Sequence, residues 1–415
     1  MADSRKARVS VNYSGKNITS DIKGYLTQAT YTDVANGESD SIALNLEDRD
    51  KKFIGPWRPE KGDRMSMHIV TQNWKVEGDY RKFLCGDFVI DDLDSAGPPV
   101  TVTIGSVSVP QNEDFRSKEV TYTWQSTSLA KIATDIAKKA GVGLVFDAPD
   151  IAIETVEQND KPDCDFLYAL VQAYGYSMKV YAWKIVIFDT EAYELRGSTA
   201  TLKMSELLSW SHKDTIQGSY TGATMAFTDP NDEKDYIIHI GQEGRTCTVN
   251  KTADNIKDAE LKGIAALNIK NQKTTTVTAT IMARPGLSAS ACVTLSEMGR
   301  LSGKYYIDKI KHSVSGKGAY KMTLTMHKVV AWIKTASVEA VEEAKKEAAS
   351  SEQYVVKSGD TLWAIAKKYL GSGTKHIQIY NDNKDIIEST AKSHGKSSSG
   401  NGHWIWPGET LTINK

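Results

Sequence analysis

Residue types that could do chemistry are sparse in this chain and poorly grouped. Asp91, Asp92 and Asp94 are close enough in sequence to meet on a cation. A hard cation needs several converging oxygens from spaced positions, so they are expected to be a solvated acidic turn between strands. Cys164 lies between Asp163 and Asp165 at an expected helix start. Flanking carboxylates disfavour a thiolate there, against the effect of the helix terminus. The eight histidines are scattered; His212, His239, His312 and His327 fall in or beside strand-like segments and are expected to be structural. Gly316-Lys-Gly318 suits a turn rather than a phosphate cradle. No HExxH, GxSxG or P-loop pattern occurs. The expectation is a non-enzyme with no catalytic residues, no metal and no cofactor.

The better signal is near the C-terminus. Tyr354-Val-Val-Lys-Ser-Gly-Asp-Thr-Leu-Trp-Ala-Ile-Ala-Lys-Lys-Tyr369 and Trp404-Ile-Trp-Pro-Gly-Glu-Thr-Leu-Thr-Ile413 suit a strand, a tight Gly-Asp turn, an amphipathic helix and a terminal strand after a Pro-Gly turn. This resembles a LysM module, a small βααβ fold that binds N-acetylglucosamine polymers such as peptidoglycan. The resemblance implies a shallow groove between two loops. Its first wall would be Ser358, Gly359, Asp360, Thr361 and Leu362. Its second would fall near residues 382–387, with Asn383, Ile386 and Ile387 as contacts. Short polar groups there would pair with acetamide and hydroxyl groups, and Leu362 or Ile386 would pack on a sugar face. The plainer role for Asp360 and Thr361 is capping the first helix. Trp363, Ile365 and Tyr369 are expected to be packing residues. Residues 392–402, rich in Gly and Ser, are expected to form a mobile loop that departs from the compact LysM pattern.

The 415 residues carry 51 Lys and Arg against 52 Asp and Glu. That balance gives no electrostatic case for nucleic acid or for an anionic membrane surface. Cysteines at 85, 164, 247 and 292 have no zinc or redox spacing and are expected to be reduced, in a protein made in a bacterial cytoplasm. The N-terminus lacks an apolar signal region, and no stretch nears the ~18 apolar residues of a membrane span.

The elements that must position such a module begin with alternating strands. Val9–Tyr13, Ser41–Leu46, Met65–Val70 and Val100–Ile104 have the period of half-buried strands. The period then changes. Leu129, Ile132, Ala133 and Ile136 predict a helix capped by Ser126 or Thr127 and closed by Gly141. Phe166, Leu167, Leu170, Val171 and Tyr174 predict a second, capped by Asp163 or Asp165 and closed by Gly175. Tyr176–Phe188 predicts a hairpin turning near Ala182–Lys184. Strands return from Thr201, with one helix near 254–270 and strong strand signals at Thr274–Ile281, Tyr305–Ile310 and Tyr320–Met326. Residues 336–352 are dominated by helix formers, and Glu342 precedes Lys346 by four. They predict a helical tether of roughly 20–25 Å. The expected fold class is mainly β with an α+β insert. The expected domains are two tube-like β-barrels at 1–112 and 201–335 around the insert at 113–200, then a helical linker at 336–352 and the βααβ module at 353–415.

The order of these pieces resembles phage late control protein D, the baseplate hub of contractile tails and R-type bacteriocins. The likeness runs through Gln125–Ile132, Cys164–Gly175, Ala283–Leu295, Gly303–Val314 and Gly318–Met326. It implies a structural homotrimer in a released or virion tail-like particle, adapting a six-fold tail tube to a three-fold spike. Two β domains per chain would present six similar units, and edge strands would pair across subunits. The implied partners are the tail tube protein, the central spike and other baseplate proteins, with peptidoglycan or a baseplate neighbour for the LysM module. The competing expectation is a cytosol-made peptidoglycan-binding protein or an accessory to wall hydrolysis.

Overall fold

The computed structural model describes residues 4–108, 114–230, 234–340 and 351–414. It divides into two units, Met1–Glu339 and Ala340–Lys415.

Alternation along the first unit's strands builds one large sheet. Ile42, Leu44 and Leu46 point inward with polar residues between them, and Val277, Ala279 and Ile281 do the same far later in the chain. The 13-stranded sheet runs Leu207–Asp214, Thr275–Met282, Tyr320–Lys328, Gly303–Ser315, Leu26–Val34, Ser41–Glu47, Thr101–Val107, Tyr80–Ala96, Arg64–Gln72, Lys6–Tyr13 and Lys16–Asn17. Ala200–Lys203 and Cys292–Ser296 branch from Gly303–Ser315. The strand-rich halves on either side of the insert therefore meet in one sheet. The seam is Leu26–Val34 against Gly303–Ser315, with His312 opposite Tyr31. A single buried cluster draws on both halves, from Val11, Leu44 and Phe88 to Leu324 and Met326. The Trp74 indole donates to the carbonyl of Ala283 at 2.7 Å, a second tie across the halves.

The insert folds much as its periodicity implies. Leu129–Ala140 is helical, but Ser128 rather than Ser126 or Thr127 caps it by accepting from the Lys131 N–H; Gly141 closes it at φ 69°. Asp163–Ala173 is helical without a side-chain cap. Asp163 lies in its first turn and pairs with Lys139 at 2.7 Å instead. The hairpin of Tyr176–Tyr181 and Lys184–Asp189 turns through Ala182 and Trp183, both at positive φ, the geometry of a two-residue turn matched to strand twist. Gly143–Asp147 adds in parallel.

Three expectations are corrected. Asp91, Asp92 and Asp94 lie within the long Tyr80–Ala96 strand, beside a bulge opposite Ser106 and Gly105, and not in a turn. Residues 220–248 are not simply part of the second β half. Gly222–Thr228, Asp235–Gly241, Thr246–Thr248 and Ala336–Ala340 form a separate four-stranded sheet under the Ile256–Gln272 helix. Gly263 lets that helix close on Ile240, since a Cβ there would sit 2.3 Å from its Cδ1. Finally, the expected helical tether is not helical at either end: Ala336–Ala340 and Ser351–Val355 are strands. Pairing partners override helix propensity there; the middle of that stretch, 341–350, lies outside the described residues.

Candidate functional site

The C-terminal unit is organised around an antiparallel pair, Ser351–Val355 with Thr410–Asn414. The chain leaves the first strand through a turn in which Gly359 has φ 90°, so only glycine adopts it freely. Asp360 fastens this turn. Its carboxylate accepts from the Tyr354 hydroxyl at 2.7 Å and from the Lys357 N–H at 2.8 Å. The Tyr354 bond, helped by the Lys357 one, holds the Asp360 carboxyl below its ordinary range. The same bond pushes the Tyr354 phenol up to about 12. Thr361 caps the Leu362–Tyr369 helix by accepting from the Ala364 N–H at 3.2 Å.

The predicted groove residues divide sharply. Ser358, Gly359 and Thr361 are exposed, and Ile386 is 39 % exposed. Leu362 and Ile387 are in the core with Ile365 and Leu411. Asn383 is buried and spans helix to strand: its amide donates to the carbonyls of Ile379 and Thr412 and accepts from the Thr412 N–H at 2.7 Å. The expected second loop is instead the junction of two helices, His376–Asp382 and Lys384–Ser393. Hence Asn383 and Ile387 support the fold from inside rather than line a surface. Trp363 was expected to pack, and does so on one side: a Cβ on Gly373 would lie 2.1 Å from its ring, yet it stays 51 % exposed.

The Gly-Ser segment is another correction. It was expected to be a mobile loop, but Ser399 is fully buried. Its hydroxyl and N–H both donate to the Glu388 carboxylate, which also accepts from the Tyr380 hydroxyl at 2.9 Å. Sequence reading also missed the exposed aromatic residues after this turn, Trp404 above all. The available signal was the Trp404-Ile-Trp406 alternation.

In the first unit the buried ion pairs tie elements together. Lys179, on the insert, reaches Asp33 at 2.8 Å, the Val34 carbonyl at 3.0 Å and Asp40 at 3.5 Å. Burial pushes the Asp40 carboxyl up to about 6, with Lys179 pulling it back. Cys164 is pushed up to about 11 by burial, so it is not poised as a nucleophile. Burial drives His312 down to about 4; it stacks between Phe83 and Tyr320. Among the described residues no cluster of His, Cys, Asp and Glu could hold a metal, and no helix is long and apolar enough to cross a membrane.

Residues 354–387 match the LysM domain family. The C-terminal module is a LysM domain. The chain is also similar to two proteins named as probable baseplate hub proteins. The one from Escherichia phage 186 is 24 % identical over 231 residues, covering 53 % of this chain and 56 % of the relative. The one from Escherichia phage P2 is 25 % identical over 230 residues with the same coverage. The chain thus spans about half the length of these curated relatives. An uncharacterized Bacillus subtilis protein, YqbP, is 36 % identical over 86 residues, 19 % of this chain and 38 % of that one. Two solved structures share the fold at a TM-score of 0.60. A tail protein from Neisseria meningitidis MC58, 11 % identical, covers 79 % of this chain and 98 % of its own. A 43 kDa tail protein of prophage MuSo2 from Shewanella oneidensis, 12 % identical, covers 78 % and 98 %. This chain therefore carries a mostly β body that shares its fold with these tail proteins, and a LysM domain at its C-terminal end.

Proposed function

We propose that this chain is the structural hub of a contractile tail-like particle, without catalytic activity of its own. Three copies form a ring that adapts the six-fold tube to a three-fold spike, and the LysM domain binds peptidoglycan or docks on a baseplate neighbour. The observation that carries this reading is the single sheet built from two strand-rich halves, in a fold shared almost end to end with two tail proteins. A second supports the ring. The Leu207–Asp214 edge strand is exposed on both faces, with Leu208 51 % and Trp210 38 % exposed. An open edge whose first half carries Leu207, Leu208 and Trp210 invites pairing with another chain. In this reading 1–112 and 201–335, apart from the small separate sheet that includes Gly222–Thr228 and Asp235–Gly241, are the two tube-like parts, 113–200 is their insert, and the LysM domain starts near 353. The chain is made in the cytoplasm and reaches the wall only as part of a particle.

Light scattering on the purified chain, with imaging of particles that contain it, tests this. Three-fold assemblies with a central bore are expected. A monomer absent from any particle, with a lytic band on peptidoglycan zymography, would replace this reading with that of a wall-turnover protein.

A further inference from the structure

Within the C-terminal unit, the segment from Ser389 to Gly408 holds two lysines, two histidines and no acidic residue. All of it lies beyond the residues that match the LysM family. It is nevertheless fixed in place. Ser399 is anchored on Glu388, and the Gly402 N–H donates to the Ser399 hydroxyl at 2.9 Å. The Trp404 N–H donates to the Ser399 carbonyl at 2.9 Å. Gly402, at φ 81°, presses on the core so closely that a Cβ would sit 2.3 Å from Leu362 Cδ1. From this anchor the chain alternates. Ile405 packs against the core, while Trp404 stays 47 % exposed. Lys396 Nζ lies 4.7 Å from the Trp404 ring centre, and His403 meets that ring edge-on at 4.9 Å. His394 stacks parallel to Trp406 at 4.9 Å. Beneath them Glu409 is buried, and burial pushes its carboxyl up.

We propose that Lys396, Trp404 and His394 form an anionic-glycan subsite that takes a carboxylate-bearing stretch of peptidoglycan. This rests on the peptidoglycan reading of the LysM domain. A sugar ring presents an apolar C–H face that an exposed indole can cover. Large rigid aromatic groups with a polar neighbour are the economical way to build such contacts. The Lys396 ammonium carries three donors and sits over one face of the same indole, from which it can swing to a carboxylate on a sugar laid against the ring. Charge complementarity selects the ligand: the segment carries Lys392 and Lys396 and no acid of its own, while the acids packed against it are engaged by Ser399, as Glu388 is, or buried, as Glu409 is, so its exposed charge favours the anionic peptide-bearing sugar over neutral N-acetylglucosamine. The predicted groove around Ser358 and Gly359 would read the neutral sugars. This platform adds preference for the charged ones.

Binding of the full chain to two soluble probes separates the possibilities. One is a neutral N-acetylglucosamine hexamer and the other a disaccharide-tripeptide muropeptide with free carboxylates. Trp404→Ala is expected to weaken muropeptide binding by roughly tenfold or more, as for a buried aromatic contact. Lys396→Glu, an exposed change that leaves the fold intact, is expected to weaken the muropeptide comparably while leaving the hexamer within about twofold. Unchanged muropeptide affinity in both variants would overturn the subsite and leave the glycan reading standing. Tighter binding of poly(glycerol phosphate) than of muropeptide would overturn the carboxylate assignment. No binding of either sugar by the unaltered chain would remove the glycan reading, and this inference with it.

Discussion

Glu194 Oε1 lies 2.9 Å from Nε2 of His327, and both side chains are buried. The other imidazole nitrogen lies 2.8 Å from Asp308, while the Trp332 indole donates to the second Glu194 oxygen at 2.9 Å. One carboxylate thus joins the short Thr190–Leu195 helix at the end of the insert, a strand of the large sheet, and the segment leading out of it.

That arrangement makes the body's stability depend on pH. Burial opposes a charged imidazole, but the bonds to Asp308 and Glu194 outweigh it and push His327 up to about 9. The folded value is raised above an ordinary histidine's ~6.5, so the contribution is complete below that pH and is lost as pH rises through about 9. Its size is on the order of 3 kcal/mol. Urea denaturation from pH 6 to 10 should show this loss, and His327→Gln should flatten it. A wild-type profile as flat as the variant's would contradict the charged ring.

Lys179 is predicted to be what docks the insert on the sheet. Removing one partner of a buried pair leaves the other charge uncompensated, at a cost of about 3–5 kcal/mol. Lys179→Met should therefore lower the denaturation midpoint strongly. Hydrogen exchange should show early opening where the Gly37 N–H donates to the Met178 carbonyl and Asn36 accepts from the Met178 N–H. Equal protection in variant and wild type would mean that Lys179 is dispensable to the joint.

Asn383 is predicted to act on stability and not on ligand affinity. Its amide makes three bonds between a helix and the last strand. Asn383→Leu should destabilise the LysM domain by about 2–3 kcal/mol through orphaned Thr412 groups. Per folded molecule, glycan affinity should be unchanged; a specific loss of affinity at full stability would return Asn383 to the binding surface.

These contrasts indicate what was legible in the sequence. Period-two alternation located Ser41–Glu47 and Thr275–Met282, because one face of each meets the core. Helix spacing and Gly141 located Leu129–Ala140. The joining of Leu26–Val34 to Gly303–Ser315 was not legible, since no local pattern encodes a pairing such as Tyr31 with His312, so far apart in the chain. Helix propensity misled at Ala336–Ala340, where an open sheet edge supplied partners that propensity cannot see. In the LysM domain, Gly359, Asp360 and Thr361 were legible as turn and cap because their roles are local. Asn383 and Ile387 were misassigned because inward or outward facing depends on where the second helix ends. Trp404 escaped notice because the Gly-Ser run before it looked unstructured, and only the buried Ser399–Glu388 contact shows that it is held.

The open Leu207–Asp214 edge bears on the ring. Charges on an edge strand block pairing with another chain without disturbing the sheet behind it. Leu208→Lys with Trp210→Lys should leave the melting temperature of the monomer nearly unchanged and abolish self-association in sedimentation velocity. Full assembly of the double variant would move the contact elsewhere.

The most direct test is the mass of the purified, full-length chain by light scattering, paired with low-resolution images of particles that contain it. A mass of three chains and a three-fold ring with a bore are predicted. A monodisperse monomer at high concentration, absent from tail-like particles, would contradict the hub assignment.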